Sequence, residues 1–196
     1  MSEVVYFSVD VEASGPVPAL YNLVSIGAIP VARSSAGWSP EEARFYVELK
    51  PIAPGFDPGA MAVHGISRDR LEREGSDPET AMRRLDRFVR DRVRERGETP
   101  VFVGHNAVFD WAYISYYFER YSLPNPFGYK ALDIKALAMG RLGIDWLDTS
   151  KENLPALLPT LPPQDRTRVH RADYDALYQG LILAALLNLP RDRSAR

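Results

Sequence analysis

Apolar and polar residues alternate along residues 4–12, and this period of two predicts a β-strand that ends in two acidic residues. Residues 23–31 and 43–50 have a similar pattern and predict two further strands. The polar stretch 33–37 separates them. The first fifty residues therefore predict an antiparallel meander of three strands.

Downstream of residue 50 the pattern predicts strands that alternate with helices. Residues 78–96, 106–121 and 172–189 predict helices, the last of them strongly apolar and stopped by Pro190. Residues 101–103 and 130–134 predict short strands, whereas 51–59 and 159–168 predict connections, the second a mobile loop. The layout predicts an α/β fold, with a mixed five-stranded sheet of three antiparallel and then two parallel strands flanked by helices.

The size and composition of the chain are those of one globular domain. We expect a domain over residues 1–190 of the 196 and a short C-terminal tail, 191–196. The absence of cysteine excludes disulfides and thiolate zinc sites. No apolar run approaches the roughly 20 residues that span a bilayer, and no leader peptide is recognisable. We expect no membrane partner and a cytoplasmic location.

The distribution of charge argues against a protein that coats duplex nucleic acid, because the net charge is −2 and the pI about 6.0. Arginines and acidic residues intermix over residues 68–98, which predicts a solvated helix face. Arg166, Arg168 and Arg171 form a better candidate for a phosphate-facing patch. The aromatic residues of helix 106–121 have a helical spacing that favours core packing over base stacking; they are Trp111, Tyr113, Tyr116, Tyr117, Phe118 and Tyr121.

Two acidic residues close the first predicted strand, although acidic residues are disfavoured in strands. Asp10 and Glu12 stand two positions apart, so their carboxylates lie side by side on one face, where they repel unless a cation separates them. Asp110 and Asp175 are the other candidate ligands, although the first could cap a helix and the second could be a buried, paired acid. Four hard oxygen donors favour Mg²⁺ or Mn²⁺.

These residues stand in three segments whose order and spacing resemble a known family. Asp10-Val11-Glu12, then Gly104-His105-Asn106 leading to Asp110, then His170-x-Ala172-x-x-Asp175 resemble the three motifs of the DEDDh 3′→5′ exonucleases. Residues 63–67 resemble a further family segment. Ala13 and Ile134 depart from the family pattern, and neither change removes a predicted ligand. The resemblance implies a ribonuclease H-like fold.

The resemblance also implies a mechanism. Two divalent cations would lie among the four carboxylates, with Asp10, Glu12 and Asp175 on the ion that activates water and Asp110 on the second. His170 would accept the proton of the attacking water, since histidine is largely neutral at pH 7. His105 is expected to be structural. The residues expected near the terminal nucleotide are Ser14, Gly15, Val63, His64, Asn106 and Phe109.

The expected activity is metal-dependent 3′→5′ hydrolysis of single-stranded RNA or DNA with release of nucleoside 5′-monophosphates. Two alternatives remain: a phosphodiesterase of dinucleotides or short oligonucleotides, and a catalytically silent module that binds nucleic acid. The sequence does not distinguish RNA from DNA as the natural substrate. It also leaves open whether the chain acts alone, as a homodimer or with a polymerase.

Overall fold

The computed structural model describes residues 4–190, in which a six-stranded sheet lies between two layers of helices. Residues 191–196, predicted as a tail, lie outside the described part. The strands are β1 Val4–Ala13, β2 Leu23–Ser34, β3 Gly37–Pro40, β4 Phe45–Glu48, β5 Thr99–Gly104 and β6 Ala131–Asp133. The helices are α1 Pro58–His64, α2 Arg68–Glu74, α3 Pro78–Arg94, α4 Ala107–Arg120, α5 Ile134–Leu142, α6 Leu154–Leu157 and α7 Ala172–Asn188, with a 3-10 turn at Trp146–Thr149.

The sheet is mixed, as predicted, and β1 lies near its centre. Strand β1 runs antiparallel to β2 and parallel to β5, and β6 continues the parallel part beside β5. The predicted third strand is wrong in detail. The strand predicted over residues 43–50 is present as the shorter β4. Strands β3 and β4 both pair with the outer edge of β2, so two strands occupy the place where one was expected. Pro40 ends β3 because proline cannot donate to a ladder.

The three long predicted helices are confirmed within one or two residues at each end, as α3, α4 and α7. Three shorter helices, α1, α5 and α6, were not predicted, and α2 lies within the segment 68–98 whose charges predicted a helix face. Helix α1 begins at Pro58 inside the predicted connection and is capped by Asp57, whose carboxylate accepts a hydrogen bond from the Ala60 amide at 2.8 Å. Helices of four to nine residues have too few turns for a period to show.

The two faces of β1 belong to different layers, and this division places the functional side chains. Val5, Phe7 and Val9 are fully buried in the core that α3 and α4 cover. On the opposite face, the Ser8 hydroxyl donates to the carbonyl of Ala176 in α7 at 2.8 Å. Because alternate side chains share a face, Asp10 and Glu12 also point towards α7.

Helix α7 lies directly on the sheet at Gly27, which pairs with Asp10 across the β1–β2 ladder. A Cβ atom at Gly27 would overlap the carbonyl of Ala172, the first residue of α7. Only glycine permits this approach of strand and helix backbones. The first turn of α7 is thereby held beside the acidic end of β1.

The predicted surface and core assignments are confirmed. Within residues 68–98, arginines pair with acidic residues four positions away, as in Arg68–Glu72. The aromatic residues of α4 are buried or pack against the core. No helix among residues 4–190 is long and apolar enough to cross a bilayer.

Candidate active site

The carboxyl ends of β1 and β5 lie at the same edge of the sheet, because these strands are parallel. Asp10 and Glu12 close β1 there, and both are buried, at 9% and 8% exposed. Helix α4 begins just beyond β5, and Asp110 lies in its first turn. The Val11 amide donates to Asp110 Oδ1 at 2.9 Å, so the backbone between the two β1 acids holds the third carboxylate.

The fourth carboxylate comes from the first turn of α7. Asp175 is 3% exposed, and its Oδ2 accepts a hydrogen bond from the His170 amide at 2.6 Å. His170 is exposed, and its backbone has a φ of 65°, which a side chain other than glycine adopts rarely. Potential ligand atoms of Glu12, His170 and Asp175 lie within 4.8 Å of one another. All five predicted catalytic residues line one cleft of about 240 Å³.

Two further side chains bind the carboxylates, and the sequence analysis missed both. The Gln179 amide nitrogen donates to Asp10 Oδ1, and its oxygen accepts from the His105 amide at 3.0 Å. Lys151 Nζ lies 3.2 Å from Asp175 Oδ1 and 3.5 Å from Asp10 Oδ1. A polar residue one turn after Asp175 on an apolar helix was a usable signal for Gln179. Lys151 lies in an irregular connection, where no sequence pattern indicated a role in the site.

Burial and mutual repulsion make the carboxylates hard to ionise. Burial, opposed by Lys151 and reinforced by Asp175, raises the pKa of Asp10 to about 7. Burial and then the charge of Asp10 raise the pKa of Glu12 to about 9, and the same two causes raise that of Asp110 well above its ordinary value. These shifts favour the protonated forms of Asp10, Glu12 and Asp110.

The donor set fits hard divalent cations. It consists of carboxylate oxygens from β1, α4 and α7 that converge on one cleft and whose ionisation needs positive charge nearby. Asp10, Glu12, Asp110 and Asp175 are the residues that could hold Mg²⁺ or Mn²⁺ there. Zinc sites of thiolate type are excluded by the sequence, which contains no cysteine.

His105 makes a contact away from the carboxylates. Its Nε2 lies 2.7 Å from the carbonyl oxygen of Thr149, and the fully buried Thr149 hydroxyl donates to the Trp146 carbonyl. Burial lowers the pKa of His105. The contact ties the segment that carries Lys151 to the start of α4.

The residues predicted near the nucleotide fall into three places. Gly15, Val63 and Phe109 line one apolar cavity of about 320 Å³ beside Glu12. Asn106, in the left-handed conformation, lines the carboxylate cleft together with Phe109. His64 lines a separate cavity with His170, accepts from the Ile66 amide at 3.1 Å, and has its pKa lowered by burial.

Ser14 is placed differently from the other predicted contacts, because its side chain is fully buried. Its hydroxyl donates to the Gly55 carbonyl and accepts from the backbone and side-chain nitrogens of Asn22. A hydroxyl has one proton and two lone pairs, so none remains for a nucleotide. Ser14 holds the turn that follows β1.

The three arginines of the predicted patch make different contacts. Arg168 lies over the ring of Tyr174, with its guanidinium carbon 4.7 Å from the ring centre. Arg171 pairs loosely with Asp173 at 3.4 Å. Arg166 lines a cavity of about 550 Å³ together with Lys151 and His170. It is the member of the three that shares a cavity with both Lys151 and His170.

Four carboxylates and a histidine at the carboxyl edge of a ribonuclease H-like sheet define a nuclease of the DEDDh type. The chain belongs to the exonuclease family of ribonuclease T, whose family model matches residues 7–183. It is a 3′→5′ exonuclease that acts on nucleic acids.

Two curated relatives and two solved structures show the range of this similarity. The chain is 40% identical over 172 residues to the 3'-5' DNA exonuclease Cap18 of Escherichia coli, covering 88% of each chain. It is 26% identical over 184 residues to Ribonuclease T of E. coli K12, covering 92% of this chain and 83% of that protein.

The nuclease domain of 3'hExo, a DEDDh family member bound to rAMP, superposes with a TM-score of 0.73 at 12% identity, covering 93% of this chain and 91% of that one. E. coli exonuclease I in complex with single-stranded DNA gives a TM-score of 0.68 at 19% identity. The match covers 95% of this chain and 40% of exonuclease I, so the chain spans about two fifths of that protein.

Proposed function

We propose that the protein is a two-metal-dependent 3′→5′ exonuclease that trims single-stranded DNA ends and releases nucleoside 5′-monophosphates. The observation that carries the proposal is the convergence of four buried carboxylates and an exposed histidine on one cleft. DNA is proposed over RNA because the relative with 40% identity is a DNA exonuclease, whereas the ribonuclease T relatives are 26–28% identical.

Together the four carboxylates would hold two cations. Asp10, Glu12 and Asp175 would hold one ion and Asp110 the second, with Asp10 shared between them. Bound divalent ions stabilise the attacking and leaving oxygens of an in-line phosphoryl displacement. The chain contributes the orientation of the ligands, through the Val11 amide on Asp110 and Gln179 on Asp10.

His170 would take the proton from the attacking water. Its exposure leaves the imidazole accessible to water, and it lies beside Glu12 and Asp175, the residues that would hold the ion. The bond from its amide to Asp175 maintains the uncommon backbone conformation. Ligand and general base are thus connected through one short hydrogen bond.

The apolar cavity beside Glu12 would receive the terminal base. Val63 and Phe109 present side chains suited to the two faces of a base, and Gly15 lines the same cavity, where any side chain would instead overlap the ring of Tyr21. Asn106 would contact the nucleotide from the carboxylate cleft. Both cavities are narrow, so a paired end must open before its last nucleotide can enter, at about a few kcal/mol for each unstacked step.

The test is digestion of matched 5′-labelled DNA and RNA strands of one sequence, resolved on gels, with Mg²⁺, Mn²⁺ or EDTA. We expect stepwise shortening from the 3′ end, faster on DNA than on RNA and faster on single strands than on blunt duplexes. EDTA should abolish it, and chromatography should identify nucleoside 5′-monophosphates.

The matched variants are Asp175→Asn, which should lower turnover by orders of magnitude, and Asp173→Asn, the same change nearby on α7, which should not. Cleavage of circular single strands would refute the exonuclease proposal, and full activity in EDTA would refute metal dependence. Faster turnover of dinucleotides than of longer strands would favour the small-nucleotide phosphodiesterase. Faster digestion of RNA would reverse the proposed preference.

Two broader proposals accompany the activity. We propose that residues 1–190 act as one exonuclease domain, and that its place of action is the cytoplasm. A truncated chain ending at Pro190 should retain full turnover. Cell fractionation with antibody detection should find the protein with cytoplasmic markers, and its recovery elsewhere would refute the proposed location.

A further inference from the structure

Lys151 is a positively charged side chain at the centre of an acidic site. It follows the 3-10 turn Trp146–Thr149, and the contact between His105 and Thr149 fixes that turn against the start of α4. The Lys151 side chain is 20% exposed, and its ammonium lies between Asp10 on β1 and Asp175 on α7. In the part of the chain that the structure describes, no other lysine or arginine forms an ion pair with any of the four carboxylates.

The ammonium occupies oxygens that a divalent ion would need. Asp10 Oδ1 and Asp175 Oδ1 both face Lys151 Nζ, at 3.5 and 3.2 Å. A Mg²⁺ ion binds carboxylate oxygens at about 2.1 Å, so an ion shared by these two residues would lie close to the position of the ammonium. The repulsion between an ammonium and a divalent ion at such a separation excludes simultaneous occupancy.

A route for the ammonium to leave is also present. Lys151 and His170 both line a cavity of about 550 Å³ that is open to solvent and whose lining includes Gln164 and Arg166. The side chain is a flexible stem of four carbons, so its ammonium can move from the carboxylates into this cavity by rotation alone.

We propose that Lys151 is the internal counter-ion of the metal-free site and that a divalent ion displaces it. The inference rests on the metal dependence proposed above. While the ammonium is between Asp10 and Asp175, it stabilises the fold against carboxylate repulsion. The same contact weakens metal binding, because an ion shared by Asp10 and Asp175 must first expel the lysine.

The first test compares Lys151→Met, Lys151→Arg and the control Lys130→Met, which changes an exposed lysine distant from the carboxylates. Titration calorimetry with Mn²⁺ at mildly alkaline pH should show Lys151→Met binding at least about fivefold tighter than wild type. Its Tm in EDTA should be lower by roughly 3 °C or more. Lys151→Arg and Lys130→Met should remain near wild type in both measurements.

Unchanged or weaker metal binding by Lys151→Met would overturn the proposal, as would an unchanged Tm in EDTA. Failure of the metal proposal looks different. If neither the wild type nor any variant binds Mn²⁺, metal dependence is refuted. A lower Tm of Lys151→Met in EDTA would still show that Lys151 stabilises the fold through its contact with the carboxylates.

The second test uses the unmodified protein. Brief acetylation followed by mass spectrometry gives the reactivity of each of the four lysines, and Lys130 serves as the internal standard. Addition of Mg²⁺ should raise the labelling rate of Lys151 severalfold and leave that of Lys130 unchanged. An equal or slower rate at Lys151 would show that the ammonium stays in place when metal binds, and would overturn the displacement.

Discussion

Replacement of Glu12 by glutamine should stabilise the metal-free protein while destroying its activity. Glutamine has nearly the same shape as glutamate and cannot ionise. Burial, together with the charges of Asp10 and Asp175, raises the pKa of Glu12 to about 9 from an ordinary 4.5. The raised pKa lowers the free energy of unfolding at neutral pH. The variant removes that penalty and also removes a predicted metal ligand.

The size of the effect follows from linkage between protonation and folding. Since the folded pKa is raised, the folded state binds more protons, and stability falls as the pH rises from about 4.5 to about 9. Each pH unit in that window contributes about 1.4 kcal/mol. At pH 7 the penalty is therefore about 3 kcal/mol, and its removal should raise Tm by roughly 6 to 12 °C.

Thermal unfolding in EDTA, followed by circular dichroism across a pH series, measures this. The gap between Glu12→Gln and wild type should be small near the ordinary pKa of glutamate and widen steadily with pH. Glu42→Gln, an exposed residue in the loop before β4, is the control and should show no such widening. A gap that is independent of pH would refute the reasoning, and so would a variant less stable than wild type.

Three further predictions concern other residues. His170→Ala should lower turnover while calorimetry still detects metal binding, because the histidine is assigned as the base and not as a ligand; wild-type turnover would place the base elsewhere. Gln179→Leu should lower metal affinity or activity by roughly 10- to 100-fold, because Asp10 loses its orienting donor; equal Mn²⁺ affinity and equal turnover would contradict this. Arg92→Met should lower the free energy of unfolding by about 3–5 kcal/mol in urea titrations, since it leaves the buried carboxylate of Glu98 unpaired; a loss below about 1 kcal/mol would show that the pair contributes little.

The sequence was sufficient wherever chemistry and periodicity agreed over several residues. The spacing of Asp10 and Glu12 predicted a shared face, and the long apolar helix carrying Asp175 was evident within two residues at its ends. The juxtaposition of β1, α4 and α7 came from the family resemblance. No local pattern carries it, because the three segments meet only through the sheet.

The parts that were missed are those set by tertiary contacts. Lys151 stands in an irregular connection, and only the fold brings it to carboxylates 141 and 24 positions away. Ser14 matched a family position, yet its hydroxyl is consumed by Asn22 and Gly55. Strand β3 was not predicted, because it pairs with the edge of β2 beside β4, which residue alternation alone does not reveal.

The contact between Gly27 and Ala172 sets how closely the first turn of α7 lies to the sheet beside the acidic end of β1. Backbone meets backbone there with no side chain between them, so the strand and the helix cannot come closer, and the hydrogen bond from Ser8 to the Ala176 carbonyl opposes their separation. The carboxylates of β1 and α7 therefore remain close together despite their mutual repulsion. The repulsion is relieved instead by protons, as the raised pKa values of Asp10 and Glu12 reflect, and by the ammonium of Lys151.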